Sequence, residues 1–149
     1  MNKNNIFSMH YYFMLIRDIN KIMEIVRNAK NVAIVGISKN VERASYQIAN
    51  EIKDKYKLFL VNPKYKGEKI FGIKVLGSLK EINENIDIVD VFRNPAYVEP
   101  IIKDAMDVKA RYVWFQPGSE NMDVIEKYED KIDIIMNSCL GIVTKMIKG

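Results

Sequence analysis

The chain has 149 residues, of which 48% are hydrophobic and 28% are charged, and these values suit one globular domain. Its net charge is +4, but the lysines are interspersed with acidic residues and form no dense basic run. This argues against a nucleic-acid surface and suits a small anionic ligand. One cysteine, Cys139, and one histidine, His10, exclude an intrachain disulfide and a Cys/His zinc site.

An apolar stretch at residues 6–16 lies near the start of the sequence. It is too short for a membrane span, which needs about 20 residues, and no small-residue cleavage site follows it. The low cysteine content also fits a reducing compartment. We therefore expect a cytoplasmic protein whose apolar stretch forms a helix that packs on the domain, on a second copy in a homodimer or on a partner protein.

Strand and helix patterns alternate along the rest of the chain. In chain order, the patterns predict helix 15–29, strand 32–36, helix 44–55, strand 58–61, a weaker strand 70–75, a brief helix 78–82, strand 86–92, a helix from 95 to about 108, strand 112–115, helix 121–128, strand 132–136 and a short tail. Strands that are apolar throughout are typical of parallel sheets covered on both faces. The predicted fold is a three-layer α/β sandwich with a mostly parallel sheet of five or six strands and an N-terminal helix.

The first strand after the N-terminal helix leads into a glycine turn and then a helix. Gly36 and Ser38 lie in the turn, and the helical pattern begins at Ala44. The unpaired N–H groups and the dipole of a helix N-terminus favour a phosphate group, so this segment predicts a nucleotide site. Polar and turn residues also follow the other strands, at the edge where open α/β sheets bind their ligands.

The fingerprint of dinucleotide-binding domains fits this segment poorly. Its glycine positions hold Gly36, Ser38 and Val41, and the second strand is followed by Asn62 and Lys64 instead of an acidic residue. A lysine cannot accept a hydrogen bond from a ribose hydroxyl, but it can pair with a phosphate on the ribose. The sequence therefore indicates a nucleotide with an additional ribose phosphate, and both NADP and coenzyme A qualify.

A more specific resemblance rests on several short motifs in a fixed order. They are Gly36-Ile37-Ser38, Ser45-Tyr46, Val61-Asn62-Pro63, Ser78-Leu79, Asp90-Val91-Phe92-Arg93-Asn94-Pro95, Val113-Trp114-Phe115-Gln116 and Cys139-Leu140. In this order the chain resembles the small stand-alone CoA-binding domain proteins, which are similar to the nucleotide-binding domain of the succinyl-CoA synthetase alpha subunit. The resemblance covers about residues 31–143 and implies a Rossmann-like domain that binds CoA through its ADP portion. We accordingly divide the chain into a helical extension, 1–30, and a CoA-binding domain, 31–149.

The resemblance also implies roles for the matched positions. The pyrophosphate would be held by the turn of Gly36, Ile37 and Ser38 and by the helix start at Arg43 and Ser45. The ribose and its phosphate would meet Asn62, Pro63 and Lys64. The adenine or pantetheine would be bordered by Phe92, Arg93 and Pro95, and the rim would be lined by Gln116.

Two positions depart from the family pattern. Ile37 stands where relatives usually have alanine, and its larger side chain would crowd the phosphate turn. Thr144 follows Cys139-Leu140 in the region where many relatives carry a histidine. A phosphohistidine mechanism like that of the synthetases is therefore not expected.

The remaining notable residues suggest structural roles. We expect Trp114 and Phe115 in the core, Asp90 in a structural role within its strand, and Cys139 as an unreactive thiol. No catalytic triad, Cys–His pair or metal cluster can be assembled, so no catalytic or metal-ligating residue is assigned. The expected function is non-catalytic or regulatory binding of CoA or acyl-CoA through the ADP 3′-phosphate portion. The alternatives are an NADP-binding oxidoreductase-like domain and an interaction module that uses the N-terminal helix.

Overall fold

The computed structural model describes residues 15–149. Within this range, eight strands form one sheet and five helices cover it. The strands are β1 (Leu15–Ile16), β2 (Asn31–Val35), β3 (Lys57–Val61), β4 (Lys69–Ile70), β5 (Ile73–Leu76), β6 (Ile88–Val91), β7 (Tyr112–Phe115) and β8 (Asp133–Ile135). The helices are α1 (Ile19–Asn28), α2 (Ala44–Ile52), α3 (Glu99–Asp107), α4 (Met122–Tyr128) and α5 (Leu140–Lys148).

The strand order is β1-β8-β7-β6-β2-β3-β5-β4, and every neighbouring pair except β4–β5 is parallel. The chain builds outward from β2 through β3 and β5, and then returns to the other side of β2 with β6, β7 and β8. Val35 of β2 is in register with Val61 of β3 and Val91 of β6, so these three strands end at the same level. The crevice at such a reversal of strand order is the usual ligand site of a doubly wound sheet.

Helices cover both faces of the sheet, and its strands are accordingly apolar at most positions. Ile34 belongs to the core shared with α1, α2 and α5, whereas Ala33 and Val35 belong to the core shared with α3 and α4. Trp114 and Phe115 are fully buried in these two cores, which confirms their predicted packing role. The predicted α/β sandwich with a mostly parallel sheet is therefore confirmed.

The first described residues differ from the predicted helix 15–29. Leu15 and Ile16 instead form β1, whose register on β8 pairs Ile16 with Ile135. The helix begins only at Ile19, because the Asp18 side chain accepts a hydrogen bond from the Asn20 N–H at 2.8 Å and caps it.

Most of the apolar stretch 6–16, together with His10, lies outside the described residues. The proposed division at residue 30 stays a prediction.

The weaker predicted strand 70–75 is a hairpin of two strands. Phe71 and Gly72 connect β4 to antiparallel β5 with φ angles of 54° and 74°. Positive φ at both central residues matches the right-handed twist of a two-residue hairpin. The Phe71 ring packs against the Tyr46 ring, with the two ring centroids 4.7 Å apart, and this contact helps to offset the cost of a positive φ at Phe71. Since β1 and β4 are only two residues long, the sheet has eight strands where five or six were predicted.

The predicted short tail is instead the helix α5. Its residues Leu140, Val143 and Thr144 are buried at helical spacing. Gly141 lets α5 approach α2 closely, since a Cβ there would lie 3.2 Å from Glu51 and 3.4 Å from Ile48. None of the helices in residues 15–149 combines the length and the hydrophobicity that a membrane span requires.

Candidate nucleotide-binding site

A pocket of about 550 Å³ opens at the carboxyl ends of β2, β3 and β6. Residues of these strand ends, of the turn after β5 and of α3 line it. The pocket lies at the reversal of strand order, and its volume is within the range of about 300–1,000 Å³ typical of small-molecule sites. Both features make it the candidate site of this domain.

Gly36 permits the close approach of two strand ends beside the pocket. Its φ is +94°, and its N–H donates to the Val61 carbonyl at 2.9 Å. A Cβ at this position would lie 1.9 Å from the carbonyl oxygen of Phe92, the residue that follows β6. Only glycine fits both the left-handed backbone and this contact.

Asn62 fixes the neighbouring strand end through both halves of its amide. Its Nδ2 donates to the Ile37 carbonyl at 2.8 Å, and its Oδ1 accepts from the Lys64 N–H at 3.0 Å. The first bond ties the turn after β2 to the turn after β3. The second caps the 3₁₀ turn Pro63–Tyr65, which places Lys64 at the pocket.

Two cations line the pocket without an ion-pair partner within the described part of the chain, Lys64 and Arg93. Lys64 is exposed, with its Nζ 5.4 Å from the centroid of the Tyr65 ring. The Arg93 guanidinium lies 5.1 Å from the Tyr97 ring centroid, and its backbone N–H donates to Ser119 Oγ at 3.1 Å. Unneutralised cations beside a crevice favour an anionic ligand.

The turn after β2 is ordered by its own polar groups. The Ser38 N–H donates to Ser45 Oγ and Ser38 Oγ accepts from the Asn40 N–H, both at 3.0 Å. Arg43 is the N-cap of α2, but its side chain makes no capping hydrogen bond. The first turn of α2 therefore lacks a side-chain acceptor from its N-cap, and such helix ends attract anions.

The structure places the predicted site residues in two groups. Those that line the pocket are Gly36, Asn62, Pro63, Lys64 and Arg93. Those near the strand ends but outside its lining are Ile37, Ser38, Arg43, Ser45, Phe92, Pro95 and Gln116. Their contacts with a ligand stay predictions. Ile37 itself is fully buried in the core shared with α2, and it is not among the residues that line the pocket.

Gln116 organises the start of α5. Its side chain is buried, and its Oε1 accepts from the Leu140 N–H at 2.9 Å while its Nε2 lies 3.6 Å from Cys139 Sγ. The half-buried Cys139 is the N-cap of α5. These bonds give Gln116 a structural role that the sequence did not indicate.

The residues that the sequence interpretation missed line the pocket from outside the strand ends. They are Gly77, Ser78 and Leu79 after β5 and Tyr97, Pro100, Ile101 and Asp104 in and before α3. The resemblance included Ser78 and Leu79, but no role followed from it. The available signal was the helical spacing of 97, 100, 101 and 104, which places these residues on one side of a helix that begins beside the crevice.

Asp90 is buried in the middle of the sheet, away from the pocket. It pairs in register with Ile34 and Trp114, it is 0% exposed, and neither carboxyl oxygen has a hydrogen-bond partner in the described chain. Burial raises the pKa of the Asp90 carboxyl well above its usual range. Nearby, Tyr56 Oη and Thr144 Oγ1 share a hydrogen bond of 2.7 Å. Burial chiefly raises the pKa of Tyr56, and Asp90 adds a smaller increase.

The strand order and the crevice define a Rossmann-like α/β domain with a nucleotide-sized pocket. The chain belongs to the CoA binding domain family, whose model matches residues 30–145. YneT of Bacillus subtilis (strain 168), an uncharacterised protein, is 30% identical over 130 residues, which cover 86% of this chain and 95% of YneT. The ADP-forming acetate–CoA ligase of Methanocaldococcus jannaschii is 30% identical over 128 residues, which cover 79% of this chain but 18% of the ligase.

Solved structures have the same fold. A hypothetical protein from Pyrococcus horikoshii OT3 superposes with a TM-score of 0.82 at 28% identity, covering 89% of this chain and 94% of its own. Cell-free ID.343 from Thermus thermophilus gives a TM-score of 0.81 at 25% identity, covering 88% and 99%. The Rossmann-like domain expected from the sequence is therefore confirmed.

Proposed function

We propose that this protein binds coenzyme A or an acyl-CoA reversibly in the cytoplasm, through the ADP 3′-phosphate portion, and acts as a CoA-binding or regulatory protein without a reaction of its own. The observation that carries the proposal is the pocket at the strand reversal, with Lys64 and Arg93 in its lining and no ion-pair partner for either within residues 15–149. The family and the match to an acetate–CoA ligase support CoA as the ligand.

The residues that line the pocket suit the negative charge of CoA. Lys64 would pair with the 3′-phosphate of the ribose, since its ammonium is a flexible point charge beside the end of β3. The turn at Gly36, which lines the pocket, and the start of α2 would meet the pyrophosphate, because the N–H groups of a first helical turn have no partner within the helix and favour a phosphate. Leu79, Pro100 and Ile101 would contact the base.

The composition of the pocket supports binding rather than catalysis. Among its described lining residues there is no cysteine or histidine, and Cys139, the N-cap of α5, lies outside the lining. A nucleophile paired with a general base, the minimum for covalent catalysis, is not present among the residues that line it.

Ligand-dependent thermal unfolding tests the proposal directly. CoA, acetyl-CoA, dephospho-CoA, NADPH and NADH would be compared at equal concentrations, since a ligand that binds only the folded state raises the unfolding temperature. We expect the largest increase with CoA or acetyl-CoA and a smaller one with dephospho-CoA. A larger increase with NADPH than with CoA would reject CoA and favour an NADP-binding domain.

The Lys64→Ala variant is expected to lose the preference for the 3′-phosphate. A charge-assisted hydrogen bond contributes about 1.5–3 kcal/mol, and the exposure of Lys64 places the effect near the lower end. The wild-type protein should bind CoA about tenfold more tightly than dephospho-CoA, and the variant should bind both equally. Isothermal titration calorimetry measures both affinities.

Lys74→Ala serves as the matched control, because Lys74 is an exposed lysine of β5 that does not line the pocket. It should keep the wild-type preference. If Lys64→Ala also keeps the full preference for CoA, Lys64 does not contact the 3′-phosphate.

A further inference from the structure

Asp104 is the only carboxylate among the described residues that line the pocket. It follows Pro100 and Ile101 on α3, and side chains three and four residues apart share one face of a helix. The Asp104 side chain is 34% exposed, against 61% for Asp107 one turn later. Asp104 therefore belongs to the pocket, whereas Asp107 lies on the open surface.

The Asp104 carboxylate retains the capacity to accept a hydrogen bond. Its Oδ1 lies 3.7 Å from Lys80 Nζ, and the two oxygens of a carboxylate together offer about four lone-pair sites, so this one contact leaves acceptor capacity. An ionised carboxylate accepts hydrogen bonds and donates none. It would also repel a phosphate, so an uncharged part of an anionic ligand that carries an N–H or O–H group suits this position.

The neighbours of Asp104 suit a flat apolar group. Leu79, Pro100 and Ile101 line the same part of the pocket, and Leu79 lies beside Lys80, which contacts Asp104. The pocket cations, in contrast, follow the ends of β3 and β6. A nucleotide with its phosphates at the cations would place its base against these apolar side chains and within reach of the carboxylate.

We propose that Asp104 is a specificity-determining residue that accepts a hydrogen bond from the 6-amino group of the adenine of CoA. The inference rests on the proposed function, since adenine is the flat part of that ligand and its amino group carries two N–H donors. A site that offers an acceptor to an amino group disfavours an analogue that lacks it, because the acceptor then loses its partner.

Calorimetric titration with two ligands tests this role. One is CoA, and the other is the CoA analogue in which hydrogen replaces the 6-amino group of the purine. The wild-type protein should bind the analogue about tenfold more weakly, as expected for the loss of one charge-assisted hydrogen bond at a half-exposed site. Asp104→Ala should bind the two ligands within about twofold of each other.

Asp107→Ala is the matched control, because Asp107 also contacts Lys80, at 3.3 Å, but does not line the pocket. It should keep the tenfold preference, and thermal unfolding without ligand should show that both variants are folded. Equal wild-type affinity for the two ligands would overturn the role of Asp104 while leaving CoA binding intact. Loss of the preference in Asp107→Ala would also overturn it, and failure of CoA itself to bind would overturn both proposals.

Discussion

Replacing Gly36 with alanine is expected to destabilise the fold by more than about 3 kcal/mol and to eliminate ligand binding at the strand ends. The added Cβ would lie 1.9 Å from the Phe92 carbonyl oxygen, far inside van der Waals contact. A left-handed backbone conformation alone costs a residue other than glycine about 1–2 kcal/mol. The overlap is with backbone rather than with a flexible side chain, so the ends of β2 and β6 would have to move apart.

Gly118→Ala provides the matched control for this variant. Gly118 has a φ of +99°, close to the +94° of Gly36, but an added Cβ would meet nothing within 4 Å. It therefore isolates the conformational cost, and we expect a loss of about 1–2 kcal/mol. Urea unfolding with a common slope measures both losses. If the free energy of unfolding decreases equally in the two variants, the contact with the Phe92 carbonyl does not contribute to the cost of Gly36→Ala.

Much of the fold could be predicted because buried parallel strands carry a strong local signal. Four of the five residues of β2 are apolar, and the strand ends immediately before Gly36. A strand of two residues has no pattern of its own, which is why β1 and β4 could not be identified. Each exists because a longer neighbour supplies hydrogen-bond partners, and β1 lies on β8.

The missed helix α5 has a different cause. Gly141 and the β-branched Val143 and Thr144 lower its local helix propensity. Its stability comes from packing against α1 and α2, and Gly141 favours that packing because a Cβ there would make tight contacts with the Ile48 and Glu51 side chains. Tertiary contact of this kind overrides propensity and is not visible in the local sequence.

Only part of the candidate site could be predicted from the sequence, because some of its residues are brought together by tertiary packing. The carboxyl ends of parallel strands always meet at one edge of a sheet, so Gly36, Asn62 and Lys64 could be brought together in advance. The residues contributed by α3, such as Ile101 and Asp104, depend on how that helix packs over the crevice. That geometry follows from the tertiary structure rather than from spacing along the chain.

Asp90→Asn is expected to stabilise the protein at neutral pH. The wild-type carboxyl is buried without a hydrogen-bond partner among the described residues, between Ile34 and Trp114 in the sheet. Burial raises the pKa of Asp90, so the folded protein keeps a proton that the unfolded chain releases above about pH 4. Keeping that proton costs stability, and an asparagine of nearly the same shape avoids the cost.

The sign of the pH dependence follows from this difference in protonation. Above about pH 4 the native state binds more protons than the unfolded state at this position, so wild-type stability decreases as the pH rises until the folded carboxyl ionises. The wild-type protein and Asp90→Asn should be nearly equal in stability near pH 4. The gap should then widen by about 1.4 kcal/mol per pH unit in favour of the variant, until the pH reaches the pKa of the folded carboxyl.

Urea unfolding from pH 4 to 8 measures this gap. Asp54→Asn, which changes an exposed carboxylate, is the control. Its free energy of unfolding should change with pH in parallel with that of the wild type. Tyr56, the titratable group whose interaction with Asp90 is resolved, stays neutral throughout this range because its pKa is raised from 10.0. Asp90→Val should also exceed the wild type at pH 8, since it removes the buried polar group altogether. If Asp90→Asn is less stable by a constant amount at every pH, the carboxylate is ionised and paired in the fold, and the burial argument fails.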